Sequence, residues 1–140
     1  MRNRDLAADY VRRAAVRLRA VEVLFEAASW ADVVRESQEV VELALKGLLR
    51  SCGVEAPRIH DVSDVLIAER ARLPAAIQAE LERVVNVSRD LRRDRELAFY
   101  GAEDLTPSSF YGKADGVRAR DGAALVVRLV KPCVVTADDR

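Results

Sequence analysis

Apolar residues recur along most of the chain at alternating steps of four and three, the spacing that places them on one face of an α-helix. The first stripe consists of Ala7, Val11, Ala14, Leu18, Val21, Phe25 and Ala28. A second stripe covers about residues 31–52 and stops at Gly53, a residue type that commonly ends helices. The pattern predicts two long helices separated by a turn at Ser29-Trp30.

The second half of the chain continues the helical pattern. It predicts a short third helix over about residues 60–73 and a fourth helix that starts after Pro74 and runs to about residue 98. A loop over residues 101–116 follows, and a last helix begins near Asp115 and ends at Pro132. The predicted fold class is therefore all-α, an up-and-down bundle of four long helices plus a short one.

Composition agrees with a single helical domain. The chain has 140 residues, of which half are apolar and a third are charged. We expect one domain over residues 1–132 and a loose tail over residues 133–140. Lys and Arg together number 23, as do Asp and Glu, so no global field attracts the protein to a polyanion. Any contact with nucleic acid would need a local basic patch.

Chemistry-bearing side chains are few. The two cysteines form no disulfide framework, and no cluster of cysteines and histidines predicts a metal site, so we expect neither metal nor cofactor. His60 is the single histidine, which excludes catalysis by two imidazoles of one chain. It either caps the following helix, makes a buried hydrogen bond, or belongs to a site. No uncharged run is long enough to cross a bilayer, and the N-terminal stretch is charged throughout. We therefore expect a cytoplasmic protein with no membrane partner.

The fourth helix carries one unusual position. Its core-facing line is apolar at Ile77, Leu81 and Val84, becomes polar at Ser88 and reaches Arg95. A guanidinium on such a line is salt-bridged, lies at a solvated cleft, or meets a second subunit. In the first case the residue is structural. In the second it could hold a phosphate through two hydrogen bonds.

The surroundings of Arg95 allow two interpretations. Arg89, Arg92 and Arg93 alternate with acidic residues, a pattern typical of a solvated helix face. The aromatic residues nearby are Phe99, Tyr100, Phe110 and Tyr111. Aromatic rings beside arginines suit base stacking, but they also commonly pin a long loop to a bundle.

Three segments resemble HEPN domains. The stretch SWADVVRESQEVVELALKGLLRSCGV resembles the second helix of that family, with its Glu-x-x-x-Lys pair at Glu42 and Lys46. The stretch RIHDVSDVL resembles the start of the third helix, with His60 in the place of the family's histidine. The stretch RDRELAFYG, followed by Pro107 and Tyr111, resembles the end of the fourth helix.

The resemblance covers most of residues 5–130 and implies a bundle of four or five helices that pairs into a homodimer. It places the fourth-helix motif at a cleft near the dimer axis. Many members are metal-independent ribonucleases with an Arg, four to six residues and then a His. Bacterial members are often toxins neutralised by a minimal nucleotidyltransferase, and others are nucleotide-binding or scaffold modules.

Carried over to this chain, the resemblance puts Arg95 in the arginine position and Tyr100 where the histidine is expected. RNA cleavage without metal needs a base to take the 2′-hydroxyl proton, and a Tyr with a pKa near ~10 is a poor base at neutral pH. A spacing of five residues also places Arg95 and Tyr100 about 140° apart on a straight helix. Arg93 and Tyr100 would share a face.

Three functional hypotheses follow. The first is a module with lost or weak catalysis that binds nucleotide or RNA, or partners a nucleotidyltransferase, through Arg92, Arg93, Arg95 and Tyr100. The second is an endoribonuclease toxin in which Arg95 and Tyr100 are catalytic. The third is a purely structural dimerisation module. All three include a homodimer, because apolar stripes this wide leave surface to spare in a bundle of this size.

Overall fold

The computed structural model describes residues 2–56, 61–100 and 110–134, and of residues 2–4 and 94–100 it describes the backbone alone. Every regular element in these ranges is helical, which confirms the predicted all-α class. The elements in chain order are α1 (Arg2–Glu26), α2 (Trp30–Ser51), α3 (Val62–Ala68), a 3₁₀ turn (Arg70–Arg72), α4 (Ala75–Ala79), α5 (Leu81–Tyr100), α6 (Lys113–Val130) and a second 3₁₀ turn (Lys131–Cys133). Four of these helices are long, as predicted, and α3 and α4 are short.

Helices α1 and α2 form an antiparallel hairpin. Gly47 lies against the start of α1, where a Cβ atom would come within 3.0 Å of the carbonyl oxygen of Ala7. Nearer the turn, the guanidinium of Arg17 donates to the carboxylate of Glu36 at 3.1 Å. The start of α1, at Ala7, therefore meets the end of α2, at Gly47. Further along α1, Arg17 meets Glu36, which comes earlier in α2, as an antiparallel arrangement requires. The absence of a side chain at Gly47 allows the two backbones to approach closely.

The turn between the two helices corrects the end of the first stripe. The pattern counts Ala28 as its last position, but α1 ends at Glu26. Ala28 instead adopts a φ of 57°, in the left-handed region. The N–H of Ala28 donates to the carbonyl of Phe25 at 2.9 Å, and that of Ser29 donates to Leu24 at 3.0 Å. The spacing rule fails here because the chain reverses two residues before the stripe would have ended.

Helix α2 is the centre of the core. Its buried residues lie on a face wide enough to contact α1, α5 and α6 together. They are Ala31, Val33, Val34, Ser37, Gln38, Val40, Val41, Ala44, Leu45, Gly47, Leu48 and Leu49. On α1 the predicted stripe is buried at Ala7, Val11, Ala14 and Val21 and packs against it. Burial of these faces supplies most of the driving force for folding.

The end of α2 matches the prediction. Gly53 has a φ of 76°, and its N–H donates to the carbonyl of Arg50 at 3.0 Å. Glycine enters the left-handed region without a Cβ clash, and this stops the helix. The next described residue is Asp61, whose carboxylate accepts from the N–H of Ser63 at 2.9 Å and caps α3. Residues 57–60, which include His60, lie outside the described part of the chain.

The predicted fourth helix is divided in two. α4 starts directly after Pro74 and ends at Ala79, and α5 begins at Leu81. At the break the N–H of Glu80 donates to the carbonyl of Ile77, so the last turn of α4 tightens to the 3₁₀ type. The single helix expected from Pro74 onward is wrong at this point. Ile77 and Leu81, on either side of the break, are both buried in the core, which explains why the apolar stripe is unbroken there.

Helix α6 runs parallel to α2. Its first turn contacts the start of α2: a Cβ atom at Gly116 would lie 2.6 Å from Cε3 of Trp30. The helix begins at Lys113, two residues before the predicted start, and the carboxylate of Asp115 accepts from the N–H of Gly112 at 2.9 Å. The stripe of α6 then faces α2 with Ala119, Ala123, Val126 and Val130 all buried. Trp30 packs against this junction, as an anchor of the core.

Two further predictions concern the ends of the chain and the membrane. Val134, in the predicted tail, is buried against the bundle, while residues 135–140 and residues 101–109 of the predicted loop lie outside the described ranges. Among the described helices, none combines the length and the apolar character needed to cross a bilayer.

A candidate polar crevice between α2, α3 and α5

A small crevice opens where α5 crosses α2 beside the start of α3. Its volume is about 10 Å³, room for roughly one water molecule. The residues that line it are Gln38, Val41, Glu42, Val62, Ser88 and Arg92. The apolar members come from core stripes, so the polar side chains lie at the edge of the core. A ligand larger than water would have to lie across the mouth of this crevice.

Gln38 forms the floor of the crevice. The residue is 6% exposed, and its Oε1 atom is buried without a hydrogen-bond partner in the described structure. The hydroxyl of Ser37, the preceding residue, is buried and unpartnered as well among the described residues. An unsatisfied buried acceptor costs free energy, and such atoms call for an explanation where they occur. Here the acceptor belongs to the same crevice as the exposed side chain of Arg92.

Asp61 and Arg89 hold one wall of the crevice in place. The Asp61 carboxylate accepts from both the N–H and the hydroxyl of Ser63, at 2.9 and 2.7 Å. The Arg89 guanidinium donates to the same hydroxyl at 3.2 Å and to the carboxylate of Asp64 at 2.9 Å. This network fastens the first turn of α3 to the middle of α5.

The electrostatics of Asp61 reflect that network. Partial burial alone would raise the pKa of its carboxyl group. The hydrogen bonds from Ser63 and the positive charges of Arg92 and Arg89 outweigh burial, so that the pKa lies below its ordinary value. Asp61 is therefore held in its charged form, and a carboxylate lies near the cations of α5.

Arg92 differs from Arg89 although both are on α5. Arg92 is exposed and makes no direct hydrogen bond or ion pair with any residue in the described ranges. Its charge acts on Asp61 only through space. A guanidinium at the mouth of a polar crevice, with no donor committed to a described residue, is able to bind an anionic group, and a phosphate suits its geometry.

Arg93 lies on a different side of the same helix. It lines a cavity of about 330 Å³ between α5 and α6, together with Phe110, Tyr111 and Arg118. The guanidinium of Arg93 is 3.5 Å from the carboxylate of Asp90. The structure therefore does not bring Arg92 and Arg93 to one cleft, although they are adjacent in sequence.

The two aromatic residues that line this cavity, Phe110 and Tyr111, differ in their exposure. Tyr111 is buried and pins the chain to the bundle, while Phe110 is 39% exposed at the cavity. Their rings meet edge to face with centroids 5.1 Å apart. Burial of Tyr111 agrees with the hypothesis that the loop aromatics hold the loop in place. The exposed ring of Phe110 remains open to a ligand.

The other predicted site residues fall outside what the structure describes. The structure describes the backbone but not the side chains of Arg95 and Tyr100, and His60 lies outside the described residues altogether. The backbone of α5 continues as α-helix from Arg95 to Tyr100. An unbroken helix keeps these two positions about 140° apart, so within one chain they do not converge on a single ligand.

Sequence reasoning missed Gln38 and the Arg89 network. Gln38 was detectable, because it lies four residues after Val34 and three before Val41, on the buried face of α2. Arg89 appears in the sequence as one of several surface arginines, and nothing in the spacing shows that it reaches α3. Among the described side chains, no three His, Cys, Asp or Glu residues come together to form a metal site.

Comparison with known proteins agrees with the fold and the resemblance. The family model described as HEPN domain matches residues 7–131. The crystal structure of TT1696 from Thermus thermophilus is similar in fold, with a TM-score of 0.74 and 23% sequence identity, covering 90% of this chain and 96% of that one. No curated protein matches. Because the family model spans most of the chain, this protein belongs to the HEPN family.

Proposed function

We propose that this HEPN protein binds a nucleotide or RNA, with a phosphate group on Arg92 at the mouth of the crevice. The observation that carries the proposal is the exposed guanidinium of Arg92, which has no direct partner among the described residues and lies at the mouth of the crevice. Membership of the HEPN family supports a module related to nucleotides or RNA in general terms.

Arg95 and Tyr100 extend the proposed site toward the end of α5. Arg95 lies three residues beyond Arg92, a spacing that predicts the same side of the helix. It would add a second phosphate contact. Because Arg95 and Tyr100 of one chain do not converge, Tyr100 of the second chain in the proposed homodimer would donate a hydrogen bond or stack on a base. Arg93 shares the face of Tyr100 by spacing but lines the separate cavity between α5 and α6, so it would contact a different part of a longer RNA.

The proposal includes weak or lost catalysis. Without the histidine of the family's nuclease motif, this corner offers a tyrosine as its only predicted base, and an ordinary tyrosine is protonated at neutral pH. Robust cleavage of RNA in the presence of EDTA, abolished by Arg95→Ala, would instead establish the alternative, an endoribonuclease toxin.

Binding tests the main proposal. We expect short single-stranded RNA or ATP to bind in anisotropy or calorimetry, with an affinity that falls as salt rises. Arg92→Ala should weaken binding about 10- to 100-fold, because a charge-assisted hydrogen bond contributes ~1.5–3 kcal/mol.

Arg83→Ala is the matched control. Arg83 is exposed nearer the start of the same helix and pairs with Glu80 at 3.3 Å. Its loss changes the net charge equally but should leave affinity nearly unchanged. Equal weakening by both variants would indicate a diffuse charge effect. Failure of every nucleotide and RNA to bind would overturn the proposal and favour a structural dimerisation module.

We propose two protein partners for this chain, a second copy of itself and a minimal nucleotidyltransferase. HEPN domains commonly dimerise, and we propose a homodimer for this chain. A minimal nucleotidyltransferase is a second proposed partner, and an adjacent reading frame for such an enzyme would favour a toxin–antitoxin pair. The cytoplasm stays the predicted compartment.

A further inference from the structure

The two cysteines lie at the same end of the bundle although 80 residues separate them in the sequence. Cys52 caps the C-terminus of α2, and Cys133 belongs to the 3₁₀ turn that follows α6. Both thiols are free and partly exposed. Because α2 and α6 are parallel neighbours, their C-terminal ends point the same way.

The register of the two helices brings these ends together. Trp30 and Gly116 touch at the starts of the helices. From Trp30 to Cys52 the helix rises ~33 Å, and from Gly116 to Cys133 it rises ~27 Å, at 1.5–2.0 Å per residue. The two cysteines therefore lie within about one helical turn of the same height.

The neighbouring residues place both segments in one core. Val54 and Val134, which follow the two cysteines closely, are both buried in the same apolar cluster. Electrostatics agree with this proximity. Burial raises the pKa of the Cys133 thiol, and the neighbouring Cys52 raises it further. An effect of one thiol on the other agrees with the register of the two helices, which places both cysteines at the same end of the bundle.

We propose that Cys52 and Cys133 form an oxidation site at which a peroxide joins them in a reversible intrachain disulfide. Nothing in the proposed nucleotide site uses either residue, so this inference stands apart from the proposed function. A disulfide needs Cα atoms within about 7 Å of each other. The short turn that carries Cys133, beyond the last helix, is the element that would adjust to reach this distance.

The chemistry is a two-electron oxidation. The thiolate of Cys52 attacks one oxygen of hydrogen peroxide, the O–O bond breaks, and the departing hydroxide takes a proton to become water. The Cys133 thiol gives up its proton and its sulfur attacks the sulfur of the resulting sulfenic acid; the S–O bond breaks, and the departing hydroxide takes that proton and leaves as a second water. Two thiols are oxidised to one disulfide and the peroxide is reduced to two waters. Burial raises the pKa of the Cys133 thiol, so Cys133 is assigned the second step, the attack on the sulfenic acid.

Mass spectrometry of the full chain tests the proposal. Reduced protein is treated with hydrogen peroxide, its remaining thiols are alkylated, and peptides are mapped without reductant. We expect a product with the mass of one chain less two hydrogen atoms, and a peptide linking Cys52 to Cys133, with both thiols restored by dithiothreitol. The disulfide should also raise Tm by ~5 °C or more, because it closes a long loop in the unfolded chain.

The variants Cys52→Ser and Cys133→Ser serve as controls, since each should lose the linked peptide and the rise in Tm. The wild-type peptide map decides the question even if a variant folds poorly. The proposal is overturned if peroxide converts Cys52 to its sulfinic acid while Cys133 still reacts with the alkylating agent. Links found only between chains, or thiols unchanged by peroxide, would overturn it equally.

Discussion

Asp61 has two roles, because its carboxylate caps α3 and also faces the arginines of α5. Its hydrogen bonds to Ser63 hold the first turn of α3 together, and its pKa is lowered by them and by the charges of Arg92 and Arg89, against the opposing effect of burial. A carboxyl group whose folded pKa is depressed contributes stability above its unfolded pKa of ~3.9. That contribution disappears as pH falls through the folded value.

Asp61→Asn isolates the charge, because Asn caps helices about as well as Asp. We expect the variant to be less stable than wild type at pH 7, with a difference in unfolding free energy that shrinks toward zero below about pH 4. Urea denaturation at pH 7, 5 and 3 measures this. Asp9→Asn, which removes an exposed pair with Arg12, should change little at any pH. A constant deficit from pH 7 to 3 would show that the charge of Asp61 is unimportant.

Single residues also mark where sequence reasoning succeeded and failed. The buried positions of α1 and α2 follow from spacing alone, since helical period and hydrophobicity determine them. Gln38 shows what spacing does not supply, because its place on the buried face is predictable but its unpartnered oxygen, in the described structure, is not. The link from Arg89 to Ser63 joins residues far apart in sequence, and a one-dimensional pattern contains no information on such pairs.

At the scale of elements, close contacts between helices depend on glycines. A Cβ atom at Gly47 would lie 2.8 Å from Cγ2 of Val11 and 3.0 Å from the backbone oxygen of Ala7. The backbone of α1 cannot move away without separating the hairpin. By contrast, a Cβ atom at Gly112 would meet nothing within 4 Å among the described residues, and its φ of −117° suits any residue.

Gly47→Ala should therefore destabilise the protein by about 1–3 kcal/mol, the usual cost of overpacking. Thermal or urea denaturation measures the change. Gly112→Ala, the same substitution at an open position, should stay within about 0.5 kcal/mol of wild type. If Gly47→Ala proved as stable as the control, the close approach of α1 and α2 at this point would be incorrect.

The break at Glu80 shows the limit of element prediction. The apolar stripe continues from Ile77 to Leu81, and neither proline nor glycine interrupts it, so the pattern predicts one helix across the break. The boundary depends on the hydrogen bond from Glu80 back to Ile77 and on how both neighbours pack. Local boundary signals such as Pro74, which precedes α4, and Gly53, which ends α2, are predictable because their effect is local to the backbone.

At the scale of the molecule, two exposed apolar residues of α1 are candidates for the interface of the proposed homodimer. Val16 and Val23 lie seven residues apart and are 58% and 66% exposed. We expect sedimentation at micromolar concentration to give twice the mass of the chain. The double variant with Val16→Lys and Val23→Lys should shift the sedimenting mass toward that of one chain if this face of α1 forms the dimer interface. A wild-type monomer under those conditions would contradict the prediction.

The packing of Trp30 has a practical consequence, because it is the only tryptophan in the chain. Its ring contacts Phe25 edge to face at 5.0 Å and lies against Gly116 at the first turn of α6. Intrinsic fluorescence therefore reports on one junction, where the hairpin turn meets the last helix. Detachment of α6 would expose the indole to water and shift its emission to longer wavelength, whatever happens at the crevice or the cysteines. The protein thus contains its own optical probe for the separation of its last helix from the hairpin.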